Sequence, residues 1–169
     1  MTDHCTVGDP DDPTNALVIQ EFSFGYVTEG SVFMGGFDAI IGLAYPAMAE
    51  AHNEPFFDAM MREQVLDRNL FAFYMSMNPD VDESELTFGY YDEDRFDGVM
   101  KWHPVIDKLF WSLNLEDVLI DGVSLGLCDD KQCLATPDSG TSQLTMPSWA
   151  KPAFDDHMEG KYGDCPPDS

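Results

Sequence analysis

A mainly β fold is predicted by two features of this chain. Short apolar stretches recur throughout it, several alternating with polar residues, and clusters of Gly, Pro, Asn and Asp separate them. One stretch carries apolar residues at helical spacing and Pro147-Ser148 opens a second, short helix, and two lone helices among many short strands place the protein in the β-rich class.

The elements follow in order. After the turn Gly8-Asp9-Pro10-Asp11-Asp12-Pro13, residues 16–27 alternate as a strand, with Leu17, Ile19, Phe22, Phe24 and Tyr26 on its apolar positions. Gly30, Gly35 and Gly36 interrupt the chain. The run Phe37-Asp38-Ala39-Ile40-Ile41-Gly42-Leu43-Ala44-Tyr45-Pro46 then reads as an apolar core strand ending at Pro. Asn53 is a candidate cap for a helix over about 54–66, with Glu54 and Pro55 in its first turn and Phe56, Met60 and Val65 on one face. Its methionines are read as core filler. Strands are predicted at 70–77 and 86–91, separated by Asn78-Pro79-Asp80 and the acidic stretch Asp82-Glu83-Ser84-Glu85.

Asp92-Glu93-Asp94-Arg95-Phe96-Asp97-Gly98 has the density of acids of a calcium loop but not its register. Phe96 takes the fifth position and no Glu closes the twelfth, so a solvated turn is expected. Further strands are predicted at about 99–106 and 109–120, the latter ending in an Asp121-Gly122 hairpin turn. A short helix is predicted from Pro147 to about Met158, followed by a loop through Gly160-Lys161-Tyr162-Gly163 to Cys165-Pro166-Pro167.

Composition removes several classes of function. The net charge is −24, from 32 acidic against 8 basic residues, so phosphate backbones are repelled and nucleic acid is not a partner. Such a surface repels itself at neutral pH and is relieved by protonation, which suits an acidic compartment. No apolar run approaches the roughly 20 residues needed to cross a bilayer, and no signal peptide is visible at the start. Of four cysteines, Cys128 and Cys133 bracket a tight polar loop and form a plausible disulfide, hence an oxidising compartment. Cys5 and Cys165 have no evident partners. The cysteines and four scattered histidines lack metal-ligand spacing, so neither a metal nor a cofactor is expected.

One segment has the make-up of a catalytic turn: Thr136-Pro137-Asp138-Ser139-Gly140-Thr141-Ser142. Gly140 permits a sharp turn and close approach. The hydroxyls of Ser139, Thr141 and Ser142 stand where they can donate to the Asp138 carboxylate and keep it ionised. An ordinary Asx-type loop has the same three letters, so the turn alone is a weak signal.

This turn resembles the Asp-Ser/Thr-Gly-Thr/Ser signature of the pepsin-like aspartic endopeptidases, and other segments follow that family in order. The decapeptide 37–46 is similar to Phe-Asp-Gly-Ile-Leu-Gly-Leu-Ala-Tyr-Pro. Pro55-Phe56-Phe57-Asp58, Leu70-Phe71-Ala72-Phe73-Tyr74, Leu86-Thr87-Phe88-Gly89, Trp102-His103-Pro104-Val105 and Phe110-Trp111 match further family segments. The resemblance implies a bilobal fold around a cleft, with residues 1–94 as the second half of the N-lobe and 95–169 as the first half of the C-lobe. It implies that Asp138 is the C-lobe catalytic Asp, that Ser139 ties the two active-site turns together, and that Thr141 hydrogen-bonds the carboxylate. Phe37 and Ile40 would line the non-primed side of the cleft, Phe110 and Thr136 the primed side. Cys165 would open a disulfide closed elsewhere. One departure stands out: Thr136-Pro137 replaces two apolar residues before the Asp.

The same resemblance places the N-lobe Asp turn upstream of Met1 and the C-lobe closing strand beyond Ser169. Hydrolysis by this route needs two carboxyl groups, one activating water and one polarising the carbonyl. These 169 residues alone are therefore expected to be inactive, and the full-length protein to be a monomeric peptidase acting on peptides or proteins, secreted or in a lysosome or acidic vacuole. The alternative reading is a non-catalytic pepsin-like binding protein. A dimeric retroviral-type protease is disfavoured because Ile40-Ile41-Gly42 precedes Asp138.

Overall fold

The computed structural model describes residues 1–8, 16–29, 38–50 and 53–163. Phe37, Gly30, Gly35, Gly36, Cys165 and the body of the Gly8–Pro13 turn lie outside them. The chain divides into two compact units, Met1–Trp102 and His103–Ser169.

In the first unit β1 (Thr2–Val7) and β2 (Leu17–Ser23) form an antiparallel pair. Their register slips between Asp3 and Cys5, so that Gln20 and Glu21 together face His4, a β-bulge. β3 (Phe71–Tyr74) pairs antiparallel with β4 (Glu85–Phe88), Phe71 opposite Phe88 and Phe73 opposite Leu86. Helix α1 (Phe56–Glu63) packs against both pairs. Its buried side is Phe56, Phe57, Ala59 and Met60, which join Ile19 of β2 in the core. Phe56 meets Phe22 edge-on at 5.3 Å and Phe88 at 6.0 Å, while Phe57 meets Phe71 at 5.0 Å. The aromatic weight of the predicted strands thus converges on one helix, in the edge-to-face geometry that rings favour.

The start of α1 differs from expectation. Its N-cap is Pro55, in extended conformation, with no side-chain cap; Asn53 lies too far upstream. Proline has no amide of its own to leave orphaned there, and its carbonyl accepts the Ala59 amide at 3.0 Å to start the helix. The helix ends at Glu63 rather than 66 because Gln64 turns left-handed, φ 56°, and returns its amide to Met60 and Met61.

The core strand expected over 37–46 is not formed by its described residues. Residues 38–44 belong to no strand, Ile40 is 70% exposed and Ile41 57%. A run of apolar residues without alternation gives no preferred face, and a strand exists only where a ladder partner meets it. Leu43 does pack against the core. The region 92–98 is a solvated turn as expected, with a single 3-10 turn at Glu93–Arg95 and Asp92 accepting the Asp94 amide. Arg95 there pairs with Asp82, Glu85 and Asp92 and lies 4.4 Å from the Tyr74 ring. The predicted strand at 99–106 is irregular; Val99 and Trp102 stay largely exposed, the Trp102 ring lying 6.2 Å from that of Tyr91.

In the second unit the predicted 109–120 strand resolves into two short ones. β5 (Leu113–Leu115) pairs antiparallel with β8 (Cys133–Ala135), and β6 (Leu119–Ile120) with β7 (Val123–Ser124). The β6–β7 connection is the expected Asp121-Gly122 turn, both residues at positive φ, 49° and 78°. That is the primed hairpin turn which matches strand twist. Helix α2 (Lys151–Tyr162) begins four residues later than expected, with Pro152 rather than Pro147 in its first turn. It also runs on through Gly160, Lys161 and Tyr162, which were expected to be loop, and stops where Gly163 takes φ 76°. Lys161 reaches the Asp121 carboxylate, tying the last helical turn to the hairpin. Among the described residues regular structure consists of small antiparallel pairs and these helices, with much irregular chain between them.

Candidate active site

The candidate turn hangs from the end of β8. At the start of that strand Cys133 is buried and bonded to Cys128, with 5.7 Å between Cα atoms, within the usual range for a disulfide. The expected disulfide is therefore present. At the other end Ala135 is the last ladder residue, so Pro137 falls past the sheet and removes no ladder donor.

Asp138 folds its side chain back onto its own turn. Oδ1 accepts the Gly140 amide at 2.9 Å and Oδ2 accepts the Thr141 hydroxyl at 2.6 Å, while the Thr141 amide donates to the Asp138 carbonyl at 3.2 Å. The Thr141 hydroxyl and then the Gly140 amide hold the Asp138 carboxyl below the ordinary carboxylate range. Gly140 serves here for space rather than for a left-handed φ. A Cβ built on it would lie 3.2 Å from Asp138 Oδ1, so the carboxylate would have to give by a few tenths of an ångström. Ser139 and Ser142 are exposed beside it, as is Asp138 itself.

Of the residues assigned to substrate contact, Phe110 and Thr136 lie in the same unit as Asp138. Thr136 is two residues before it, and Phe110 is exposed and precedes Trp111. Ile40 lies in the other unit and is exposed, and Phe37 is outside the described residues. Sequence reasoning passed over Ser112. It is 3% exposed and its Oγ lies 3.2 Å from Thr136 Oγ1. The one available signal was that a hydroxyl two residues after Phe110 interrupts an otherwise apolar stretch.

Among the described residues no group of three or more His, Cys, Asp or Glu is placed to hold a metal ion, and no helix is long and apolar enough to cross a membrane.

A carboxylate held ionised on an Asp-Ser-Gly-Thr turn at a strand end is the feature expected of an aspartic peptidase. Over residues 12–164 the sequence matches the family described as eukaryotic aspartyl protease, and the chain belongs to that pepsin-like family. It is 37% identical over 130 residues to gastricsin of Cavia porcellus, covering 76% of this chain and 33% of that protein. It is 38% identical over 132 residues to cathepsin E of the same species, covering 78% and 33%. It is 34% identical over 149 residues to cathepsin D of Clupea harengus, covering 86% and 35%. The chain spans about a third of the length of these relatives.

Proposed function

We propose that this chain supplies one half of the catalytic dyad of an acid-acting aspartic endopeptidase, with Asp138 as the carboxylate. Membership of the family makes peptides the substrate class. What carries the assignment of the residue is its local environment: two donors, Gly140 N and Thr141 Oγ1, fix the carboxylate and favour its charged form. A carboxylate prepared in this way takes a proton from water; a second carboxyl, protonated, polarises the scissile carbonyl. As is general for such dyads, two carboxyls at close range cannot both ionise and share one proton. The second member comes from outside these 169 residues, and the chain alone is inactive.

In this reading residues 1–94 belong to one lobe and 95–169 to the other. Ile40 and Phe37 contact substrate on the non-primed side, Phe110 and Thr136 on the primed side, and Ser139 links the two Asp turns. The Cys128–Cys133 disulfide and the charge of −24 support a secreted protein or one of an acidic vacuole.

The test is hydrolysis of a denatured protein substrate by the full-length protein at acid pH, with and without a statine-type transition-state mimic. Asp138→Ala should abolish activity and the mimic should block it. Full activity of Asp138→Ala sinks the assignment. Absence of activity in the intact full-length protein, with retained binding of the mimic, would turn the reading to a non-catalytic relative. The exposed, self-satisfied turn also fits that reading, since an Asx turn needs no catalytic purpose.

A further inference from the structure

We infer that Ser112 is a positioning residue for Asp138, acting through Thr136; this rests on the reading of Asp138 given above. The β5–β8 ladder pairs Leu115 with Cys133, Asn114 with Leu134 and Leu113 with Ala135. The next pair in that register is Ser112 with Thr136, and there the contact passes from backbone to side chain. Their hydroxyls meet at 3.2 Å, extending the pairing by one step beyond the last ladder residue. Cross-strand hydroxyl pairs of this kind stabilise the pairing modestly and set its register.

The two members are not equivalent. Ser112 is the fixed one: it is almost fully buried, its carbonyl accepts the Ile106 amide at 2.9 Å, and it bridges to Asp107. Thr136 is exposed and is followed by Pro137, which confines it to extended conformations. With the Thr136 side chain held by Ser112 and its backbone limited by Pro137, little freedom remains in the two residues before Asp138. The disulfide at Cys133 pins the opposite end of the same strand. β8 is thus held at both ends, and the Asp138 turn leaves it in one direction.

The bonds to Gly140 and Thr141 close the turn on itself but do not fix where it sits on the sheet, because both partners lie within the turn. The Ser112–Thr136 pair supplies that missing constraint from 24 residues away. A displacement of the base by a fraction of an ångström leaves substrate affinity largely intact and slows the chemical step.

The test uses the full-length protein assayed at acid pH. Ser112→Ala should lower kcat by about tenfold with KM changed by less than about twofold. Thr136→Val should lower kcat to a similar extent, again with KM little changed, and Ser112→Ala/Thr136→Val should be no worse than the poorer single variant. Should Ser112→Ala fail to fold, the exposed Thr136→Val decides alone, by a loss in kcat with KM unchanged, since loss of a substrate contact would raise KM. Wild-type kcat in Ser112→Ala or in Thr136→Val, with Asp138→Asn inactive, overturns the positioning role while leaving Asp138 in place. So does full additivity of the two losses. Full activity of Asp138→Asn overturns the reading of Asp138, and the proposal with it.

Discussion

Glu63, in the last turn of α1, accepts the backbone amide of Gln20 through Oε2 at 2.6 Å and that of Glu21 through Oε1 at 3.1 Å. These are the two residues of β2 that together face His4, so the bulge presents two successive donors and one carboxylate takes both. Arg62 completes the junction. Its Nη2 donates to the Glu21 carbonyl at 2.8 Å, its Nη1 lies 3.3 Å from Glu63, and its Nε reaches Glu54 at 3.0 Å. An irregular strand segment is thereby bonded to a helix end as though to a neighbouring strand.

That junction is pH-dependent, with a definite sign. The Gln20 amide first, then the Glu21 amide, hold the Glu63 carboxyl below its ordinary value. A carboxyl depressed by folding contributes stability at pH values above its unfolded pKa, and this is lost as pH falls through the folded one. The urea midpoint of the wild-type chain should therefore fall between about pH 5 and pH 3 by more than that of Glu63→Gln, which keeps one acceptor oxygen but no charge. The hydrogen-exchange protection of the Gln20 and Glu21 amides, taken relative to the intrinsic rate at each pH, should fall over the same interval in the wild type only. Equal pH dependence in the two proteins would remove Glu63 from the account.

The β6–β7 turn gives a prediction about backbone alone. Gly122 sits at φ 78° with open space where a Cβ would stand, so a side chain there meets no neighbour. Gly122→Val should still destabilise the second unit by about 1–2 kcal/mol, because a residue with a branched Cβ is strained at positive φ. Asp121→Asn, at φ 49°, keeps a residue that tolerates that region and gives up only the exposed ion pair with Lys161, so it should cost no more than about 1 kcal/mol and less than Gly122→Val. Denaturant unfolding of both variants checks the pair; similar midpoints for Gly122→Val and wild type would refute the turn assignment.

What could be read from the sequence is what the chain specifies locally. The Asp121-Gly122 turn and the Cys128–Cys133 loop each complete themselves within a few residues, and both were legible. Within the Asp138 turn, of the three hydroxyls expected as donors it is Thr141, three residues on, that bonds the carboxylate, while the Gly140 amide was not foreseen, Gly140 having been read for its turn alone. Helix α1 was visible in the spacing of Phe56 and Met60, but its ends depended on Pro55 and a left-handed Gln64. For α2, two prolines five residues apart were equally able to start a helix, and Pro152 prevailed over Pro147. The partners of Gln20 and Thr136 lie 43 and 24 residues away, and no local pattern announces them. Ile40 and Ile41 misled for the opposite reason: hydrophobicity signals a need for burial without saying what will provide it.

The Asp138 turn can be interrogated in this chain without any assay of activity. Because the Thr141 hydroxyl is the larger cause of its lowered pKa, Thr141→Val should move the Asp138 titration up toward the ordinary carboxylate value, as followed by side-chain carboxyl NMR. Thr141→Ser, which keeps the donor, should leave it lowered. Gly140→Ala acts on the other oxygen: its Cβ would lie 3.2 Å from Oδ1, so the carboxylate must yield and lose some of its hold on the residue-140 amide. Its titration should also rise, by less than in Thr141→Val. The folded form then loses pH-dependent stability that is present above the unfolded pKa and disappears as pH falls through the folded one. An unshifted Asp138 titration in both Thr141→Val and Gly140→Ala would mean that neither donor holds the carboxylate, and the turn would lose its claim to be a prepared base.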